Sequence, residues 1–299
     1  MSRMHRALEK ADREGLLTWT RRLPEQQAPT AVEEEPPLRP TAGDHARAFE
    51  HTAAQEPAFV PHPSEWDATP PAPSVLNPLL VAATEPTSAA AEQYRVLRTR
   101  LESVDEGRRP QLVLVTSPRI GDGKTMTSAN LALTMAQEFQ QKVVLVEADL
   151  RRPSLAAHFG VRPEPGLVDV LVGAATLDDA LTLVPDQPLV LLPAGLTPGR
   201  ATDLLASSMM QRVVAALRAR FSRIVVDTPP VGLADTQVLS RMADGVLVVV
   251  RAGMTPRPAV ERALATVDRQ RLIGVVVNDV DGPFEAYEDP ALQQRSAGE

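Results

Sequence analysis

The chain has 299 residues, 43% hydrophobic but only 3% aromatic, so it is long enough for one sizeable domain with an aliphatic core. A formal charge of −7 argues against a nucleic-acid partner, which needs clustered lysine and arginine. The absence of cysteine excludes a disulfide scaffold, thiol catalysis and cysteine-based zinc binding.

Along the chain, residues 1–17 read as a short helix: Ser2 can cap it, Gly15 can end it, and Met4, Ala7, Leu8 and Ala11 share a face. A helix docking on a partner and a frayed tail both fit that pattern. Neither this start nor any later run has the roughly 20 apolar residues of a membrane span or the core of a signal peptide, so a cytoplasmic protein is expected. Residues 18–86 are rich in proline, glutamate and alanine and read as a disordered linker, an N-terminal arm ahead of the folded domain.

From Thr87 a helix begins in which Tyr94, Leu97 and Leu101 form an apolar stripe, while Glu92, Arg95 and Arg98 recur at three-residue spacing. Apolar runs of strand length follow at 112–116, 143–147, 189–193, 223–227, 245–250 and 273–277. Helical stretches between them begin near Lys124, Ala201, Asp235 and Pro256. Continuous apolar strands alternating with helices predict an α/β domain over 87–283: a mostly parallel sheet with helices on both faces. Residues 284–299 are polar and read as a flexible tail.

The chemistry concentrates at "LVLVTSPRIGDGKTMTSANLALTMA", a strand, a glycine-containing turn and a helix. Gly121 and Gly123 let the backbone approach a phosphate, and the N–H groups of Gly121, Asp122, Gly123, Lys124, Thr125 and Met126 would face it. Lys124 would bridge β and γ oxygens, and the Thr125 hydroxyl would ligate Mg²⁺. Pro118 stands where the strict pattern requires its first glycine. Two further strand ends supply carboxylates: Glu147 and Asp149, expected on the same side of one strand by alternation, and Asp227 on another.

These residues resemble the bacterial tyrosine kinases of capsule and exopolysaccharide export, within the wider deviant P-loop class that includes the MinD/ParA partition ATPases. The resemblance runs from residue 88 to 280 and rests on three segments in order. They are "SPRIGDGKT", with Ile120 where the family usually has proline; "VVLVEADLRRP", with Glu147 replacing the family's first aspartate; and "RIVVDTPPVGLADTQVLSRMADGVLVVV". It implies a MinD/ParA-like fold, ATP and Mg²⁺ as cofactors, and metal ligation by Thr125, Asp149 and Asp227. It implies catalysis by Lys124, Asp149 and Asp227, with Glu147 accepting the phenolic proton of a tyrosine. Arg251 and Asn278, at later strand ends, are candidate contacts to the nucleotide base.

The Glu92–Arg95–Arg98 spacing matches the family's self-association motif and implies a homo-oligomer; a solvated helix face is the alternative. Partners implied are protein tyrosine substrates and a membrane-bound activator of polysaccharide chain length or export, which would recruit the chain to the inner face of the plasma membrane. Family members usually carry a tyrosine cluster at the C-terminus. Here the candidate acceptor is Tyr287 alone, since Tyr94 belongs to the helix stripe. The function implied is an ATP-dependent protein-tyrosine kinase; the alternatives are a MinD/ParA-like switch ATPase, favoured by Arg119 in the loop, and a nucleotide-sensing regulator without kinase activity.

Overall fold

The structure, a computed structural model, describes residues 76–102, 110–138, 141–196, 199 and 201–280. The N-terminal helix over 1–17, the linker as far as residue 75, the tail and Tyr287 lie outside the described residues.

Five apolar segments become the centre of one sheet: β1 (Leu112–Thr116), β2 (Val143–Glu147), β4 (Leu189–Leu192), β5 (Arg223–Asp227) and β6 (Gly245–Arg251). A two-residue strand, β3 (Thr182–Leu183), and β7 (Leu272–Asn278) form its edges. The order is β3-β4-β2-β5-β1-β6-β7, and every pairing is parallel except β3 with β4. Because the middle strands are covered on both faces, their residues are apolar without alternation, which is how the sequence reveals them.

Odd and even positions of those strands feed two separate cores. Leu112, Leu114, Val144, Val146, Ile224, Val226, Val246 and Val248 face one cluster. It is closed by α5 (Leu167–Leu171), α7 (Ala201–Leu205), α8 (Ser208–Arg220), α9 (Ala234–Ser240) and α10 (Arg257–Thr266). Val113, Val115, Leu145, Leu191, Val225, Leu247 and Val249 face the other, closed by α1 (Val81–Thr84), α2 (Ala89–Glu102), α3 (Lys124–Ala136) and α4 (Leu155–Phe159). The expected helices on both faces are present.

Three local features differ from the sequence reading. The expected linker reaches residue 86, whereas residues 76–86 pack on the domain: Leu80 is fully buried. The Ala82 N–H donates to Asn130 Oδ1 at 3.0 Å, and Gln137 Nε2 donates to Ala82 O at 2.9 Å. The helix beginning at Ala201 stops at Leu205, and Ser207 starts a second one by accepting the Met210 N–H at 3.2 Å. Between β2 and β4 lie α4, α5, α6 (Leu177–Ala180) and β3, elements of two to five residues.

The register brings three strand ends together. Val115 and Glu147 both pair with Asp227, so β1, β2 and β5 end at one level. The order also reverses at β1: the chain passes from β1 to β2 on one side and later to β6 and β7 on the other. In an open parallel sheet the crevice above such a reversal, at the carboxyl ends of the strands, is where ligands sit.

Candidate active site

The loop joining β1 to α3 is braced from within. The Ser117 hydroxyl donates to Arg119 O at 2.7 Å. Asp122 Oδ2 accepts the Arg119 N–H at 2.8 Å, and its Oδ1 accepts the Thr255 hydroxyl at 2.7 Å. Asn278 Nδ2 donates to Asp122 O at 3.1 Å. The Asp122 carboxylate is thus buried inside the loop and turned from the space a phosphate would fill, leaving backbone N–H groups as this residue's contribution. Gly123 has φ +97°, a conformation that favours glycine, and a Cβ there would displace the Asn278 side chain, whose Nδ2 would lie within 2.0 Å.

Gly123 is also the cap of α3, whose first residues are Lys124 and Thr125. Lys124 Nζ lies 2.9 Å from Asp149 Oδ2 and 3.3 Å from Thr125 Oγ1. The Thr125 hydroxyl donates to Asp227 Oδ2 at 2.8 Å. One helical turn on, Ser128 Oγ lies 3.3 Å from Asp227 Oδ1 and donates to Lys124 O at 2.7 Å. Sequence reasoning passed over Ser128, though its spacing from Lys124 puts it on the same helix face. Burial pushes the Asp227 carboxyl up to about 7, against the pull of Lys124 and the Thr125 hydrogen bond; Asp149 and Glu147 push the same way as burial. A buried carboxylate, a neighbouring carboxylate and a hydroxyl make an all-oxygen set that suits a hard divalent cation.

Among the described residues no group of three or more histidine, cysteine, aspartate or glutamate side chains is placed to hold a metal alone. Mg²⁺ takes one or two carboxylates and completes its shell with water and phosphate oxygens. Thr125 and Asp227 are the residues that would hold it, with Asp149, the third expected ligand, turned to Lys124 beside them.

Glu147 departs from its expected role. Its Oε1 accepts the Leu155 N–H at 2.6 Å and also the Ser154 N–H, and its Oε2 accepts the Ala194 N–H at 3.1 Å. The side chain is 1% exposed. The extra methylene of glutamate carries the carboxylate past the strand end to the start of α4, where free N–H groups favour an anion. With both oxygens so engaged, it is placed to hold the loop after β2 and not to take a proton from a substrate. β2 ends at Glu147, so Asp149 lies beyond the strand, where it turns to Lys124.

Arg151 and Arg251 are both occupied. Arg151 Nε lies 2.6 Å from Asp235 Oδ2, and its Nη2 donates to Thr202 Oγ1 at 3.2 Å. Burial works to raise the Asp235 carboxyl, but hydrogen bonds from Arg151 and Thr202 hold it below the usual carboxylate range. Arg251 is exposed and paired with Asp279 at 2.7 Å. Asn278 packs against the loop at Asp122 and Gly123.

On α2, Arg95 pairs with Glu92 at 2.6 Å within the helix. Arg98 donates to Thr134 O at 3.2 Å, at the end of α3, and sits 3.9 Å from Glu138. Arg119 is exposed on the loop, and Met126 is partly buried against the α3 side of the core.

These parts surround a cleft of about 430 Å³. Its floor is Gly121, Gly123, Lys124, Thr125 and Asp149; its rim includes Leu79, Ile120 and His158. Chemically, the floor is a cradle of N–H groups and one ammonium beside acids, suited to a polyphosphate and to neutralising charge as a phosphoryl group moves.

Residues 113–296 match the CobQ/CobB/MinD/ParA nucleotide binding domain family, CbiA. The chain is 34% identical over 203 residues to the tyrosine-protein kinase YwqD of Bacillus subtilis, covering 67% of this chain and 85% of that protein. It is 31% identical over 205 residues to the putative tyrosine-protein kinase EpsB of Ralstonia nicotianae, 68% of this chain but 27% of that one. The kinase domain of the Escherichia coli tyrosine kinase ETK superposes with a TM-score of 0.63 at 25% identity, covering 69% of this chain and 83% of that structure.

Proposed function

We propose, since the chain belongs to the bacterial tyrosine-protein kinases built on the CobQ/CobB/MinD/ParA nucleotide binding domain, that it transfers the γ-phosphoryl group of ATP to protein tyrosines and so regulates exopolysaccharide or capsule synthesis or export. The observation that carries this reading is the Lys124–Asp149 pair, 2.9 Å apart on the floor of the cleft beside the Thr125–Asp227 bond.

In this mechanism the loop N–H groups bind the triphosphate, and Lys124 exchanges Asp149 for phosphate oxygens. The ammonium then stabilises charge on the γ-phosphoryl and leaving oxygens. A magnesium ion held at Thr125 and Asp227 supplies further charge neutralisation when bound. The phenolic oxygen bonds to the γ-phosphorus as the bond to the bridging oxygen breaks, and ADP leaves. Asp149 is the cleft carboxylate released when Lys124 turns to the phosphates, so we assign it the phenolic proton in place of Glu147. Asn278, beside the loop, is kept as the base-side contact.

We further assign self-association to the α2 face bearing Glu92, Arg95 and Arg98, and the acceptor role to Tyr287. Activation is assigned to a membrane-bound protein of polysaccharide chain-length or export control, which draws the kinase to the inner face of the plasma membrane.

The test is incubation of the full chain with γ-labelled ATP, with and without membranes of its own cell. Labelled phosphotyrosine is expected in the wild type, absent from Lys124→Met, and lost from the tail in Tyr287→Phe. Free phosphate without phosphotyrosine contradicts the kinase reading and points to a switch ATPase.

A further inference from the structure

Two aliphatic side chains stand open at a charged site. Leu79 is 62% exposed and Ile120 is 60% exposed, and both border the cleft whose floor holds Lys124 and Asp149. Apolar surface left in water at the lip of a site is recovered only when something apolar covers it.

Leu79 is held in place by its backbone. Asn130 Nδ2 donates to Leu79 O at 2.9 Å, and the Leu79 N–H donates to Asn77 Oδ1 at 2.9 Å. The next residue, Leu80, is fully buried. A residue pinned at N, O and its neighbour, with its side chain exposed at the lip, is a fixed wall.

His158 is the third member of the lip, and its charge state follows from the same contacts. Because Asn77 Oδ1 is the atom that accepts the Leu79 N–H, the amide nitrogen of Asn77 is the one 3.0 Å from His158 Nδ1. Nδ1 therefore accepts, and the ring proton resides on Nε2. Burial also holds the His158 pKa below its ordinary value. His158 thus adds no charge to the lip near neutrality, while Arg152 also lines the cleft. Asn278, to which the base side is assigned above, packs against Asp122 and Gly123 and takes no part in the cleft lining.

We propose that Leu79 and Ile120, backed by neutral His158, form the seat for the phenol ring of the acceptor, a tyrosine side chain within a peptide segment. The seat lets a ring lie against aliphatic groups while its hydroxyl reaches toward the phosphoryl group at Lys124. It also disfavours serine and threonine, whose short polar side chains would leave the lip uncovered. The inference rests on the kinase reading and deepens it, making a residue of the segment before α1 a determinant of acceptor choice.

The experiment uses the full chain at saturating magnesium-ATP with a tyrosine peptide of varied concentration, comparing wild type, Leu79→Ala and Leu79→Met. The alanine variant should raise KM for the peptide roughly tenfold with kcat changed less than about twofold. The methionine variant should recover most of it. Affinity for a non-hydrolysable ATP analogue and oligomer mass should match wild type in both. Phosphotyrosine formed with an unaltered KM in Leu79→Ala overturns the seat alone. So does an equal loss of analogue affinity, which would give the lip to the nucleotide, or a change of oligomer mass, which would give it to a second copy. No phosphotyrosine from the wild type overturns the kinase reading and the seat with it.

Discussion

Glu147 and Asp149 sit two residues apart yet do different work, and the difference is one methylene. Glu147 reaches three backbone N–H groups at Ser154, Leu155 and Ala194, while Asp149 stays with Lys124. Glu147→Gln would keep one accepting oxygen but turn an amide NH₂ against an N–H donor. It should lower unfolding free energy by about 2 kcal/mol, measured by denaturant titration. Asp149→Asn should lower kcat for phosphotyrosine formation roughly 100-fold or more. The opposite pattern, a stable Glu147→Gln with collapsed kcat, would restore Glu147 as the proton acceptor. Lys124, Thr125 and Asp227 were legible in the sequence because phosphate chemistry fixes their types and spacing. The fate of Glu147 was not, because its partners are backbone N–H groups of residues 154, 155 and 194, which no side chain announces. Thr255, Asn77 and His158 were hidden for another reason: each acts through a contact spanning dozens of residues.

At the scale of elements, β1 is positioned by a carboxylate that belongs to the turn before β6. Asp244 Oδ2 accepts the Leu112 N–H at 2.8 Å and the Gln111 N–H at 3.0 Å, and Oδ1 lies 2.7 Å from Arg218 Nη2 on α8. Burial works to raise its pKa, but Arg218 and the two N–H donors hold it below the usual value. A carboxylate whose folded pKa is depressed stabilises the fold above its unfolded pKa of about 3.9, and that contribution disappears as pH falls through the folded value. Asp244→Asn should therefore melt below wild type at pH 7, and the gap should narrow as pH falls below about 4, as read by thermal unfolding across pH. A gap that stays constant over that range would remove the charge from the account. The six longer strands and the main helices were visible as apolar runs and helical stretches. The segment from Leu155 to Leu183 was not, since helices of four or five residues complete barely one turn and show no period. The break between α7 and α8 turns on the cap at Ser207, which a hydrophobic pattern does not record.

For the whole molecule, the folded unit begins before the helix that the sequence suggests. Pro78 and Pro86 give residues 76–86 the composition of the linker ahead of them, yet Leu80 and Ala82 are buried against α3. Composition records average polarity and misses a single leucine that fills a core. Leu80→Ala should cost about 2–5 kcal/mol. A chain starting at residue 76 should unfold at a higher temperature than one starting at 87; equal melting points would return the segment to the linker. The claim on which everything else depends is that the loop between β1 and α3 grips the polyphosphate of ATP through Lys124. Calorimetric titration of the full chain with a non-hydrolysable ATP analogue tests it most directly. Binding should require magnesium in the wild type and weaken at least tenfold in Lys124→Met, about 1.4 kcal/mol. Affinity that survives unchanged in Lys124→Met, or that is absent from the wild type, would contradict it.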